Sequence, residues 1–326
     1  MEDRKKKMGW GLIGPGRFAQ EFAGELVGIE RVRPVAVASR DLSKAESFAS
    51  RFGHEKAYGS YDELFADEAV EIVYIVVPHV FHAAIAKEAI LAGKAVLCEK
   101  PLTPGPETTR ELVSLAQERG VFLMEAMKTG FLPAIRKAKA WIDEGRIGEP
   151  KLAQADFCFS GPTDQKDRLM NPDLGGGAVL DVGIYPLHLT RFLLGEVESI
   201  SAVGSLAETG VEDSVAMISR HLSGASSAMT CSFRTDEAMS ATIFGTEGMI
   251  EIPLFHAAKK AILKRAGEEI ETFEDQEKGM VAAEIEAVMD ALGKGLTECA
   301  GHTHADSIRL AELMHEVRRQ VGSVAT

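Results

Sequence analysis

Two stretches of the chain carry side chains whose types and spacing suit proton transfer. One is the triplet Glu99-Lys100-Pro101. A lysine near another positive charge and partly removed from water shifts toward its neutral, proton-accepting form. Alone, the triplet reads equally well as a surface lysine before a turn proline. The other is GGGAVLDVGIYPLHL over 175–189, where Asp181, Tyr185 and His188 stand at i, i+4 and i+7. That spacing sets them on one face of a helix. A tyrosine there can donate a proton to a developing alkoxide, and an aspartate can orient a neighbouring base. A partly buried helix face with satisfied polar tips has the same spacing, and both readings stand open at this point.

A third pattern suits binding. Gly14, Gly16 and Ala19 form GxGxxA directly after WGLI. The first glycine permits a tight turn, the second lets a pyrophosphate approach the backbone, and the alanine lets the helix pack close to the sheet. Arg17 and Phe18 lie in the same turn, at a helix N-terminus whose free N–H groups and dipole favour an anion. The motif is weak by itself; following a strand and opening a helix, it reads as a dinucleotide site. The next strand ends Ala38-Ser39-Arg40, without the acidic residue that usually meets ribose hydroxyls. A guanidinium and a hydroxyl suit a 2′-phosphate, so NADP is expected over NAD. Asp41 offers a competing ribose contact, or an N-cap for the helix that follows.

These residues need a scaffold that brings strand ends together. Residues 10–13, 34–39, 70–77, 95–98 and 121–126 read as strands, separated by helices near 17–27, 43–52, 81–91 and 106–120. The 70–77 run is almost continuously apolar, as a strand buried on both faces should be. Alternation at this spacing predicts an α/β, doubly wound parallel sheet, a Rossmann domain over 1–126. Right-handed crossovers then set Gly14, Arg40, Pro78 and Lys100 on one edge, since each follows its strand. Beyond, a helix over 133–144 precedes strand-like runs at 152–159, 200–204, 214–221, 225–233, 241–244 and 249–252, with a helix near 179–194. Helices near 281–292 and 306–321 end the chain. This predicts an α+β domain over 127–326 with an open, mainly antiparallel sheet, its last helix packing back on the first domain.

Composition excludes other classes. Over 326 residues, 45% hydrophobic and 26% charged content describes a globular chain with room for two domains. A net charge of -13 argues against non-specific nucleic-acid binding. Cys98, Cys158, Cys231 and Cys299 form no CxxC pair, so neither a disulfide framework nor a zinc cluster is expected. There is no run of about 18 apolar residues, and no signal-peptide pattern follows the basic start. The expectations are a cytoplasmic location, no membrane association and no metal.

The chain now resembles the glucose–fructose oxidoreductase / inositol dehydrogenase / MocA (Gfo/Idh/MocA) family. The carriers are GLIGPGRFA, ASRDLSKAESFA, AYGSYDEL, VPHVFHAAIAKEAILAGKAVLCEKPL, GVFLMEAM, GGGAVLDVGIYPLHL and FGTEGMIEI. Within it the chain is most similar to the dimeric dihydrodiol dehydrogenase / D-xylose dehydrogenase branch. The resemblance implies a homodimer, often joined through the second domain's sheet, and a small sugar, polyol or diol as substrate. It implies that Lys100 assists proton transfer, that Tyr185 is the acid/base tyrosine and that Asp181 lies near nicotinamide and substrate. It implies that Pro78, His79, His82 and Glu99 line the nicotinamide-ribose pocket, and that the Lys100–Pro101 bond is of a kind often cis. One segment departs: the branch tends to carry W-x-R-F-x-P, whereas 128–133 reads KTGFLP. His188 also sits where the branch varies. The branch's diols are therefore not transferred to this chain.

The reading is reversible hydride transfer between nicotinamide C4 of NADP(H) and a secondary alcohol or carbonyl carbon. The alternative is a non-catalytic NADP-binding sensor, which would need neither EKP nor LDVGIY. Weaker signals fall outside this reading. His302, His304 and Asp306 form an HxHxD string that would cap the last helix rather than hold a metal. His54, His221 and His256 are isolated, read as solvent-facing or satisfied by neighbours. Met124 and Met127 read as packing, and Arg4 to Lys7 as a solvated tail.

Overall fold

The structure, a computed structural model, describes residues 7–276 and 279–323. Of the basic start, Lys7 is exposed and the rest lies outside the described residues. The chain divides into two compact units. The first is Met1–Met127 with Val281–Ile308, the second Lys128–Met280 with Arg309–Thr326.

In the first unit, β1 (Met8–Ile13), β2 (Val32–Ala38), β3 (Lys56–Tyr58), β4 (Ile72–Ile75), β5 (Ala95–Glu99) and β6 (Leu123–Ala126) form one sheet. All pairs are parallel and the order is β3-β2-β1-β4-β5-β6. The order reverses between β1 and β4, and ligands of such sheets bind beyond the strand C-termini at that switch point. The strands are apolar because both faces are covered: Leu12, Ile13, Val37, Ile72, Ile75 and Leu97 are all buried. The covering helices are α1 (Arg17–Leu26), α2 (Leu42–Phe52), α3 (Tyr61–Ala66), α4 (His82–Leu91) and α5 (Pro106–Arg119). Local chemistry sets their ends. Asp41 is the N-cap of α2, accepting from Ser43 and Lys44 N–H at 3.1 and 3.4 Å, which settles its role as a cap. Pro106 opens α5 and Gly120, at φ 62°, closes it.

The segment Val281–Ile308 joins this unit, whereas the expectation over 127–326 had only the last helix packing back on the first domain, and that helix falls in the second unit from Arg309. Specific contacts draw it there. The Glu25 carboxylate accepts the N–H groups of Val281 and Ala282, both at 2.8 Å, where α8 (Ala282–Gly293) begins. Arg31 pairs with Asp290 at 2.6 Å, and the Trp10 indole N–H meets Met289 Sδ at 3.4 Å. Helical periodicity shows that such a segment buries a face, not which core receives it.

The second unit opens with α6 (Pro133–Asp143) and β7 (Pro150–Ser160), and α7 (Ile184–Leu194) interrupts its strands. Then come β8 (Val197–Leu206), β9 (Glu212–His221), β10 (Ser226–Ser232), β11 (Arg234–Ala238), β12 (Ala241–Gly245), β13 (Met249–Ile252), β14 (Lys260–Arg265) and β15 (Glu268–Glu274). The order is β15-β14-β13-β12-β7-β10-β9-β8, with β11 also on β7. β7 and β10 pair in parallel; the other pairs are antiparallel. Alternate residues Ala153, Ala155 and Phe157 of β7 and Met229 and Cys231 of β10 are buried, and α7 packs on these two strands. On neighbouring β8 and β9, Val203 and Ile218 are 72% and 65% exposed. Helix α9 (His304–Val321) enters this unit from Arg309. There Arg309 donates to the Val197 carbonyl at 2.7 Å, and Gln320 holds Ala202 N–H at 2.7 Å and the Ile200 carbonyl at 3.0 Å. Among the described residues, no helix is long and apolar enough to cross a membrane.

Candidate active site

The glycine turn after β1 has the geometry of an anion cradle. Gly14 sits at φ +93°, and a Cβ there would run into the Val76 carbonyl oxygen. Gly14 N–H donates to the Ala38 carbonyl at 3.2 Å, and Gly16 N–H to that of Gly14 at 2.7 Å. A Cβ on Gly16 would meet only the Gly14 carbonyl oxygen, at 4.0 Å, so this backbone faces open space. No side chain caps α1 and its first turn holds no acidic residue. Arg17 is exposed, Phe18 half-buried and Ala19 fully buried. A dinucleotide pyrophosphate fits this turn. At the end of β2, Ser39 Oγ accepts from Asp41 N–H at 3.2 Å, and the exposed Arg40 lies with its guanidinium 5.8 Å from the Phe81 ring centre.

Beyond β4 and β5 the backbone is held by buried side chains. Pro78 leads into a single turn, His79–Phe81. His79 is buried, its ring centre 5.7 Å from that of His82. His82 is fully buried, with Nδ1 2.9 Å from the Pro101 carbonyl and Nε2 2.8 Å from that of Val77. A neutral imidazole carries one N–H and donates to one of these at a time. Burial lowers the His82 pKa, against the pull of the two carbonyls. His82 thus lies between the backbone carbonyls of the two segments that follow β4 and β5. Glu99 accepts from Tyr74 O–H at 2.6 Å and from Lys100 N–H at 3.2 Å. Burial, then the Glu99 charge, push the Tyr74 hydroxyl well above its ordinary pKa, and Tyr74 stacks on Phe22 at 3.6 Å. Lys100 is half-buried, and its bond to Pro101 is cis.

The HxHxD string does not act as one cap. Thr303 and Asp306 form a reciprocal cap: Thr303 N–H and O–H both donate to Asp306 Oδ2 at 2.7 Å, and Asp306 N–H returns to Thr303 Oγ1 at 3.2 Å. The longer histidine rings reach β6, His302 Nε2 standing 2.9 Å from Glu125 Oε2 and His304 Nε2 3.0 Å from the Leu123 carbonyl. Among the described residues, no group of three or more His, Cys, Asp or Glu could hold a metal ion.

In the second unit, the glycine loop before α7 is folded over Glu212. Gly177 is at φ +118°, and a Cβ there would collide with the Glu212 carboxylate. The next residues, Val179–Gly183, form a π turn before α7 begins. Asp181 lies in this π turn, whereas Tyr185 and His188 lie in α7. Asp181 accepts from Arg168 at 3.1 Å. The Tyr185 ring packs at 5.3 Å from Phe157 and 6.1 Å from His256, which themselves stack at 4.2 Å. His188 stacks on Phe192 at 5.9 Å. Arg168, Phe157 and His256 carried no sequence signal toward a site. His256 owes its place to Leu254, which adopts φ 46°, a left-handed conformation that costs a non-glycine residue about 1–2 kcal/mol; the fully buried Phe255 follows it. Lys128, where the branch tends to carry tryptophan, is buried with Nζ 3.8 Å from Met280 Sδ.

Two family models match the chain: an oxidoreductase family with an NAD-binding Rossmann fold over 8–127, and the GFO/IDH/MocA C-terminal domain over 135–251. Trans-1,2-dihydrobenzene-1,2-diol dehydrogenase of Mus musculus is 35% identical over 323 residues, covering 96% of either chain. Among solved structures, the aldose-aldose oxidoreductase of Caulobacter crescentus, complexed with glycerol, superposes with a TM-score of 0.89 at 22% identity, covering 97% of this chain and 98% of that one. A 3-ketoreductase from Actinomadura kijaniata, in complex with NADP and TDP-benzene, gives 0.86 at 28% identity and the same coverage.

Proposed function

Because the chain belongs to the GFO/IDH/MocA oxidoreductase family, we propose that it is an NADP-dependent enzyme. It transfers a hydride between nicotinamide C4 and a secondary alcohol or carbonyl carbon of a sugar, polyol or diol. The observation that carries this reading is the C-terminal edge of the parallel sheet, where the unobstructed glycine turn after β1 and Lys100 after β5 share one edge. When bound, the nicotinamide supplies the hydride acceptor or donor. The glycine turn lets the pyrophosphate approach the N-terminus of α1, where the backbone N–H groups of Arg17 and Phe18 face it, and Ser39 and Arg40 receive the 2′-phosphate. Pro78, His79 and Glu99 border the nicotinamide ribose. Lys100 and Tyr185 take and return the substrate hydroxyl proton, and Asp181, paired with Arg168, orients substrate or base. The sugar, polyol or diol class follows the named activities of the relatives.

The test is turnover with NADP(H) across a panel of aldoses, polyols and trans-diols. Lys100→Met and Tyr185→Phe should each lower turnover about 10²–10⁴-fold with NADP binding retained in a fluorescence titration. Unchanged turnover in both single variants defeats the assignment. A homodimer joined through the face bearing Val203 and Ile218 belongs to the same reading; sedimentation should give twice the 35.2 kDa chain mass, and a monomer would exclude it.

A further inference from the structure

We infer that Glu125 is a positioning residue for Lys100, with His302 as its buried partner; this rests on the proton-transfer role given to Lys100 above. A lysine side chain has four rotatable carbons, so the backbone at its root decides which region its amine reaches. At Lys100 that backbone has left the sheet. The last paired residue of β5 is Glu99, opposite Ala126 of β6, and no ladder hydrogen bond continues past it. Side chains replace the ladder. Glu99 takes Lys100 N–H at 3.2 Å, His82 meets the Pro101 carbonyl at 2.9 Å, and Glu125 Oε1 takes Leu102 N–H at 2.7 Å. The contact of Glu125 is the shortest of the three, and its acceptor is 2% exposed.

Packing alone gives no reason for a carboxylate at this position. Met124, Ala126 and Met127 beside it are buried and apolar, and a buried charge is costly unless its oxygens are satisfied. Glu125 meets that condition through a residue 177 positions away: Oε2 stands 2.9 Å from His302 Nε2, which also lies 3.1 Å from Ser307 Oγ. His302 and Ser307 are 2% and 3% exposed. The segment that brings His302 is itself tied to the start of β6, where Leu123 N–H donates to the Thr297 carbonyl at 3.1 Å. The network therefore runs from Ser307 through His302 and Glu125 to the backbone two residues after Lys100. The charges of Glu125 and Lys100 also both reach His82, in opposite senses, beneath the larger effect of its burial. Glu125, His82 and Lys100 thus share one electrostatic neighbourhood around one short segment.

Two readouts on the full chain test this, and neither needs a substrate. One is amide exchange at Leu102 by NMR. The other is the rate at which acetic anhydride labels Lys100, read by peptide mass spectrometry against the exposed Lys87 as internal reference. Glu125→Ala should speed exchange at Leu102 about tenfold or more, the loss of one hydrogen bond to a charged group, and raise labelling of Lys100 several-fold with Lys87 unmoved. Glu125→Gln, which keeps the shape and one acceptor oxygen, should fold normally and give a smaller change of the same sign, as should His302→Gln. A purely structural role would lower the melting temperature and leave relative labelling of Lys100 where it was. That result, in Glu125→Gln and His302→Gln as folded proteins, overturns the inference. If Lys100→Met abolishes turnover and Lys100 labelling is unmoved in both, the proton-transfer assignment stands and the positioning role falls. If labelling moves and Lys100→Met stays fully active, the assignment falls instead.

Discussion

Below the Lys100 turn of the first unit lies Glu125, and below the 175–183 loop of the second lies Glu212. Both are buried carboxylates under a backbone turn that presents a chemistry-bearing residue. Glu125 is closely hydrogen-bonded, at 2.7 Å to Leu102 N–H and 2.9 Å to His302. Glu212 is 0% exposed and meets the Arg318 guanidinium at 3.5 Å, longer than a charge-assisted hydrogen bond. Burial accordingly pushes the Glu212 carboxyl up from its usual pKa, against the pull of Arg318. A closely bonded carboxylate can fix one backbone N–H in place. A loosely paired one keeps its desolvation penalty and depends on its counter-charge. The second unit compensates with shape: Gly177 leaves the space that Glu212 fills, and Phe157 and His256 set Tyr185 by ring contacts.

The largest expected effect breaks the looser pair. Glu212→Gln or Arg318→Met alone leaves one buried group without its counter-charge, and each should destabilise the protein by roughly 3–5 kcal/mol. The double variant removes both charges and should recover most of that loss. Urea unfolding of the three variants reads the cycle. Additive losses in the double variant would show that the pair is not coupled, and the contrast with Glu125 would lose its basis.

A buried histidine without partners sharpens the contrast further, since it has burial and nothing to offset it. His54 was read as solvent-facing or satisfied by neighbours; it is neither. Gly53 closes α2 at φ 71°, His54 N–H returns to the Ala49 carbonyl at 3.0 Å, and the ring turns onto Phe48 at 5.9 Å. Such an apolar contact commonly follows a left-handed helix end. Neither ring nitrogen has a hydrogen-bond partner, and burial lowers the pKa from 6.5 to about 4. The unfolded chain therefore takes up a proton below 6.5 that the folded chain refuses until about 4. This contribution to stability is complete above that window and falls as pH drops through it, by about 2 kcal/mol near pH 5. Comparing unfolding midpoints near pH 7.5 and pH 5 for the protein and for His54→Leu cancels the other titrating groups. An equal acid loss in both would mean that the ring is solvated.

How much of this was legible follows from the range of the forces involved. The first sheet was readable because strands buried on both faces are apolar runs, and because Gly14, Asp41, Gly53 and Pro106 act through near neighbours. The capping box of Ser60 and Glu63, which opens α3, is equally local, but six residues are too few for periodicity to mark a helix. β3 is three residues long, and β15 reads EEIETFE, whose charges hide the alternation that pairs it with β14 across the Ala266–Gly267 turn. The π turn changes helical period without changing composition. His302 on Glu125, Arg168 on Asp181 and His256 beside Tyr185 join residues that only the fold brings together. Sequence patterns therefore single out Lys100 and Tyr185 as candidates but not the residues packed and bonded around them.

The smallest effect concerns a residue held by neither kind of carboxylate. Arg40 is exposed and braced laterally, its guanidinium over Phe81; such an exposed contact contributes about 0.5–1 kcal/mol and presets the planar fork. Toward a 2′-phosphate the fork offers charge-assisted donors, discounted by solvent and salt at an open site. Separate titrations should therefore show NADPH binding more tightly than NADH. Arg40→Ala should weaken NADPH about tenfold, or about 1.4 kcal/mol, and leave NADH nearly unchanged. Arg40→Lys keeps the charge but loses the planar stack, and should fall between them. The advantage should also shrink as ionic strength rises, whereas the buried contacts of Glu125 should show no such dependence, because salt screens exposed charges far more than buried ones. Equal affinities for the two cofactors in the unmutated protein would remove the basis for NADP and leave Arg40 as a surface residue resting on a ring.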